Sequence, residues 1–188
     1  MPGGKLMAVL PQSPQAPQGL TVEELVAYGR FPHKKGFGKL QKEDREIIQW
    51  ALEVIGMEGY KDREIEALSG GQRQRVWIAM ALAQKTDILL LDKPTTYLDL
   101  AHQLEILTLL ENLNKKQGRT IIMVIHELNN AARFADYMIG VKEGKIVSNG
   151  TPEEVMTKEN LKNIFNIDAE VVRDPRYNKQ VCITYDLI

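Results

Sequence analysis

Leu68–Asp99 reads LSGGQRQRVWIAMALAQKTDILLLDKPTTYLD, and this stretch decides the fold. It opens on Ser69, Gly70, Gly71 and Gln72, where two residues without side chains let backbone N–H groups approach an anion closely. A helix starting directly after them, with Ser69 as its N-cap, aims the positive end of its dipole at the same spot, which is phosphate-binding logic. Val76, Trp77, Ala79, Met80 and Leu82 along that helix read as core. Ile88–Leu91 is a short apolar run of the kind buried in a parallel sheet. Asp92 stands at its carboxyl end, where such sheets place ligand-binding groups and where an acid suits a magnesium ion. A Gly-Gly before a helix is by itself usually a cap or a turn; its combination with the strand and the aspartate is what carries meaning.

A chain of 188 residues, 44% of them apolar, fits one domain able to bury a core. A formal charge of -1 gives no basic field for nucleic acid, which is disfavoured as a partner. The single cysteine, Cys182, has no thiol to pair with and no metal-ligand spacing to a histidine, so it reads as a small apolar core residue. MPGGKLMAVLPQ at the amino terminus has neither the apolar run of a signal peptide nor a membrane span, so the expectation is a soluble, cytoplasmic chain.

Outward from the central stretch, Leu6–Leu10 reads as a strand stopped by Pro11, and Pro11, Pro14 and Pro17 form a stiff extended connector. Thr21 with Glu24 is a capping box for a helix that ends near Gly29 and turns Val22, Leu25 and Val26 inward. His33–Lys39 is a basic, glycine-containing loop, and a second helix from about Lys42 to Ile55 places Ile47, Ile48, Ala51, Leu52 and Ile55 on one face. Beyond Asp99 a helix over Leu100–Gln117 stops at Gly118, and Ile121–Ile125 is a second buried strand followed by His126. Tyr137–Val141 and Lys145–Ser148 are strands joined through Glu143-Gly144. Thr151, Pro152 and Glu154 start the first of two short helices that run to about Phe165, and Ala169–Arg173 with Gln180–Tyr185 forms a closing hairpin.

LSGGQ at Leu68–Gln72 followed by the strand ending in Asp92 resembles the ATP-binding subunits of ABC transporters. The resemblance implies an α/β fold: a P-loop NTPase-like core with a mainly parallel sheet, plus a helical subdomain at about 20–68, residues 1–19 and 69–188 making up the remaining core and its hairpin. It makes Leu68–Gln72 the signature and Asp92 the Walker B aspartate and metal ligand. Gln12 becomes the Q-loop glutamine that touches nucleotide and metal, Asp99 the D-loop aspartate and His126 the switch histidine. Ser69, Gly70, Gly71 and Gln72 would meet the ATP of a partner subunit, where a side chain at Gly71 would obstruct the γ-phosphate. ATP and Mg2+ are the implied ligands; transmembrane permease subunits and a second ATPase subunit are the implied partners, with a substrate-binding protein engaged indirectly. The implied place is cytoplasmic, peripheral on the inner face of the membrane. YGRFPH at Tyr28–His33, LDLAHQLE at Leu98–Glu105 and HELNNAARFADYMI at His126–Ile139 look most like the ATPases of iron-siderophore, haem and cobalamin importers.

Two departures bear on activity. No G-x-x-x-x-G-K-[ST] loop occurs in the sequence, and Gly3-Gly4-Lys5 is followed by Leu6 where a metal-binding hydroxyl belongs. The resemblance implies that the first β-subdomain and the Walker A helix are lacking, the chain matching the carboxyl-terminal two thirds of a family member. The residue after Asp92 is Lys93, where the family has the catalytic glutamate, and an ammonium group has no acceptor for the proton of an attacking water. Both losses fall on one site of the family's head-to-tail dimer, so the chain is not expected to hydrolyse ATP alone. The rival reading is a non-catalytic module that binds a membrane subunit or a complete ATPase without hydrolysis. A DNA-repair ABC ATPase would need coiled-coil or zinc insertions, and none is present.

Overall fold

The computed structural model describes residues 6–33 and 39–188; Gly3-Gly4-Lys5 and most of the basic segment between His33 and Lys39 lie outside them. The chain falls into two compact units, 1–124 and 125–188. The first contains β1 (Met7–Leu10), α1 (Val22–Tyr28), α2 (Lys42–Val54), α3 (Gly70–Ala83), β2 (Ile88–Asp92), α4 (Leu100–Gln117) and β3 (Thr120–Val124). The second contains α5 (Leu128–Phe134), β4 (Met138–Lys142), β5 (Lys145–Gly150), α6 (Pro152–Val155), α7 (Lys158–Phe165), β6 (Ile167–Asp174) and β7 (Lys179–Leu187).

In the first unit α3 is apolar on nearly every side, with Val76, Trp77, Ile78, Ala79, Ala81, Leu82 and Ala83 all buried. A helix of that kind is stable only with neighbours all round, and α1, α2, α4 and β1 supply them. The helical segment expected at about 20–68 thus packs on α3. Contact with α1 is close enough to require Gly29, where a Cβ would lie 2.2 Å from the Met80 carbonyl oxygen. The next residue, Arg30, donates from Nε to Asp44 Oδ1 at 2.8 Å and from Nη1 to the Ala83 carbonyl at 2.8 Å, tying α2 to the end of α3. Asp44 also accepts from the Gln41 N–H as part of the box that caps α2. With side-chain exposures of only 6% and 13%, losing Arg30 would remove the cation facing a largely buried carboxylate, at a cost of about 3–5 kcal/mol.

The sheet runs β1-β2-β3, all parallel, pairing Leu10 with Leu91 and Asp92 with Val124. Ala8, Leu10, Leu89 and Leu91 point into the core, whereas Val9, Ile122 and Val124 on the opposite face are 48–50% exposed. Parallel sheets are normally covered on both faces, so this apolar face is a surface built for a further layer.

The second unit holds two antiparallel pairs, β4-β5 and β6-β7. Glu143 (φ 50°) and Gly144 (φ 75°) make the tight turn between β4 and β5, so the strands expected around Glu143-Gly144 form their own hairpin and the sheet stays three-stranded. Cys182 is buried with Ala132, Met156, Leu161, Ile167 and Ala169, and burial pushes its thiol up. No helix is expected from the sequence reading between His126 and Tyr137, yet α5 forms there, with Leu128, Ala131 and Ala132 at i, i+3 and i+4 on its packed side. Its Asn129 side chain donates to the Cys182 carbonyl at 3.0 Å and accepts from the Cys182 N–H at 2.8 Å, so a long-range pair supplies what propensity does not. No helix among the described residues is long and apolar enough to cross a membrane.

Two outcomes follow from this packing. Gly29→Ala lowers stability in urea melts by roughly 1–3 kcal/mol, while Gly59→Ala, whose Cβ position is open, changes it by under about 0.5 kcal/mol; equal midpoints would contradict the α1–α3 contact. Val9→Lys with Ile122→Lys reduces binding of an apolar dye and self-association on a sizing column with little change in melting, because both side chains stand on the uncovered face.

Candidate functional site: the signature loop and the sheet edge

Ser69 caps α3 in the extended conformation, its Oγ accepting from the Gln72 N–H at 3.3 Å while Gln72 Oε1 accepts from the Ser69 N–H at 3.0 Å. This reciprocal box turns the Gln72 side chain back onto its own helix. Ser69 and Gly70 are exposed, and the Ser69 hydroxyl and the Gly70 N–H have no acceptor within the first helical turn; Gly71, whose N–H likewise has none there, is buried.

The two glycines have different surroundings. A Cβ on Gly70 would meet only Leu98 Cδ2, at 3.9 Å. A Cβ on Gly71 would lie 2.6 Å from His102 Cδ2 and 3.0 Å from His102 Cγ. The space a side chain at Gly71 would occupy is filled by a ring of the same chain. His102 sits in the first turn of α4, whose N-cap is Asp99. Asp99 Oδ1 accepts from the His102 N–H at 2.9 Å and lies 2.8 Å from His102 Nδ1. The backbone bond from His102, then its side chain, holds the Asp99 carboxyl below the usual carboxylate range. One turn further along both helices Arg75 pairs with Glu105.

At the sheet's carboxyl edge, Asp92 ends β2 on the uncovered face, beside Val124 in register. Lys93 follows in the left-handed region (φ 51°), its N–H donating to the Val124 carbonyl at 3.1 Å, and the chain turns off the strand into buried Pro94 and Thr95. Gln12, half-buried, lies just past the end of β1 on the same edge. His126 is exposed and belongs to the second unit. Divalent cations of the magnesium and calcium type take several oxygen ligands, and among the described residues no group of three or more His, Cys, Asp or Glu could hold one. Asp92 alone brings a carboxylate to this edge, and the residue after it carries an ammonium rather than a second acid. The signature end, with the Ser69 hydroxyl and the Gly70 N–H on exposed residues and no carboxylate between them, fits an anion.

Sequence reasoning found Ser69, Gly70, Gly71, Gln72, Asp92, Lys93 and Asp99 but missed His102. Asp99-x-x-His102 has N-cap spacing and could have marked the bond between them; the contact with Gly71 crosses from one helix to another and leaves no local trace.

A family model described as "ABC transporter" matches residues 3–96. The iron(3+)-hydroxamate import ATP-binding protein FhuC of Bacillus subtilis (strain 168) is 70% identical over 184 residues, covering 98% of this chain and 68% of that protein. The ferric enterobactin transport ATP-binding protein FepC of Escherichia coli (strain K12) is 45% identical, with 90% of this chain and 62% of that protein covered. A solved structure of an inward-facing, metal-chelate type ABC transporter superposes with a TM-score of 0.87 at 28% identity, covering 95% of this chain and 72% of that one. The chain belongs to the ABC transporter family and has the fold of its ATP-binding domains. It spans about two thirds of the length of the curated relatives it matches.

The left-handed backbone at position 93 is the local test. Lys93→Gly raises stability in urea melts by about 1 kcal/mol because glycine carries no Cβ penalty there, Lys93→Val lowers it, and Lys93→Glu leaves it nearly unchanged; a stabilising valine would refute the assigned conformation.

Proposed function

We propose that this chain contributes the signature half of a composite ATP site in an importer of iron–siderophore complexes, paired with a complete ATP-binding subunit. The observation that carries the reading is the asymmetry of its two ends: exposed Ser69 and Gly70 offer preformed anion donors, while the edge at Asp92 has Lys93 in place of an acid. The iron-hydroxamate and enterobactin importers among its relatives support the substrate class. Cargo itself is selected by the permease and binding-protein subunits.

In this arrangement the partner's phosphate loop and carboxylates hold ATP and Mg2+, and this chain closes over the γ-phosphate. Its Ser69 hydroxyl and the Gly70 N–H meet the charge that develops as the phosphoryl group leaves. Donors fixed in place before reaction need no reorganisation. Gln12 and His126 take no part in this composite site. The segment at about 20–68 docks the permease, placing the chain on the cytoplasmic face of the membrane. The rival, a binding module without turnover, differs in that the pair would hydrolyse nothing.

The test pairs the chain with a complete relative whose own signature serine is replaced, so that the relative's homodimer is silent. The wild-type chain restores steady-state ATPase activity, Ser69→Ala lowers it by about 10²–10³-fold, and Lys93→Glu changes it less than twofold. A melt of the isolated variant measures the roughly 1 kcal/mol lost with the cap itself. No restored activity would favour the binding module; equal sensitivity at positions 69 and 93 would refute the half-site.

A further inference from the structure

Gly71 and Asp99 lie on different elements, and one side chain touches both. His102 Nδ1 is 2.8 Å from Asp99 Oδ1. A carboxylate only accepts, so this contact requires the proton on Nδ1. Nδ1 and Cδ2 flank Cγ on opposite sides of an imidazole, so a ring whose Nδ1 is turned to Asp99 presents Cδ2 the other way. That is the atom closest to the Cβ position of Gly71, at 2.6 Å, with Cγ at 3.0 Å and His102 Cβ at 3.4 Å. The ring therefore sits in the side-chain space of Gly71.

Core filling does not explain this ring, because the His102 side chain is 43% exposed. Nor does helix capping, since Asp99 already bonds the His102 backbone N–H without help from the ring. The contact also has a partner in register: Arg75 with Glu105 joins α3 to α4 one turn beyond Gly71 and His102. Two ties on one face fix both the distance and the rotation of α3 against α4, and the one at His102 is nearer the N–H of exposed Gly70.

We propose that His102 is a positioning residue: its ring, oriented by Asp99, sets the place of buried Gly71 and hence the aim of the N–H donor of exposed Gly70 beside it. Glycine at position 71 then answers a demand from within the chain, and Gly70 alone is open on its Cβ side. The kinetic consequence rests on the composite-site reading above; the structural link does not.

The experiment has two arms. In the first, the 188-residue chain alone is followed by hydrogen exchange and urea melting. His102→Ala speeds exchange at the Gln72 and Arg73 amides about tenfold, whereas His102→Asn, which keeps a donor for Asp99 and a planar group over Gly71, stays within twofold of wild type. Gly71→Ala destabilises the wild-type chain but costs measurably less in the His102→Ala background, because the obstructing ring is gone. Unchanged exchange in His102→Ala, or a Gly71→Ala cost that is the same in both backgrounds, overturns the link. In the second arm, the chain is paired with the signature-silent relative: His102→Ala lowers kcat about tenfold with KM for ATP within twofold, and His102→Asn recovers it. Altered exchange with unaltered kcat overturns the positioning role. If the wild-type chain restores no turnover at all, the composite-site reading fails, while the first arm still decides the link between His102 and Gly71.

Discussion

The first unit depends on keeping α3 surrounded. A helix with so little polar surface has no stable position except between other elements, and the molecule meets that demand with α1 and α2 on one side and the sheet and α4 on others. Gly29 permits the closest of these approaches, and Arg30 satisfies the Ala83 carbonyl at the end of the buried helix while neutralising Asp44. Because the middle and end of α3 are pinned, its first turn projects from a rigid body. The signature donors are held by the fold as well as by their own capping box, and preorganised donors of this kind stabilise developing charge most effectively.

Local rules made much of this legible. Capping boxes at Thr21, Ser69 and Thr151 and the stop at Gly118 (φ 66°) are written in neighbouring residues, and the elements begin or end there. What escaped was set by distance. Asn129 and Cys182 are 53 residues apart, as are Arg30 and Ala83, so neither the bond that anchors α5 nor the tie from Arg30 to α3 could be seen in any window of sequence. Gly71 shows the same limit at the site. Its identity was legible, but its contact with His102 comes from a helix packing that only three dimensions reveal.

The contrast between the two ends of the first unit also has a physical origin. Ser69–Gln72 is a self-contained motif, closed by hydrogen bonds among its own residues and backed by His102. The edge at Asp92 is open: its carboxylate stands on the uncovered face of the sheet, and its neighbours in sequence leave at once into a buried turn. A motif that is locally complete keeps its geometry when the rest of a composite site lies on another molecule. An edge that needs a covering layer and further ligands does not.

Lys93 illustrates how function and foldability separate. Its backbone is left-handed and its N–H is committed to Val124, so glutamate and lysine suffer the same conformational penalty and keep the same hydrogen bond. Exchange between them is nearly invisible to the folding equilibrium. A measurement of folding alone therefore does not distinguish the two residues; only a measurement of the chemistry at this edge does.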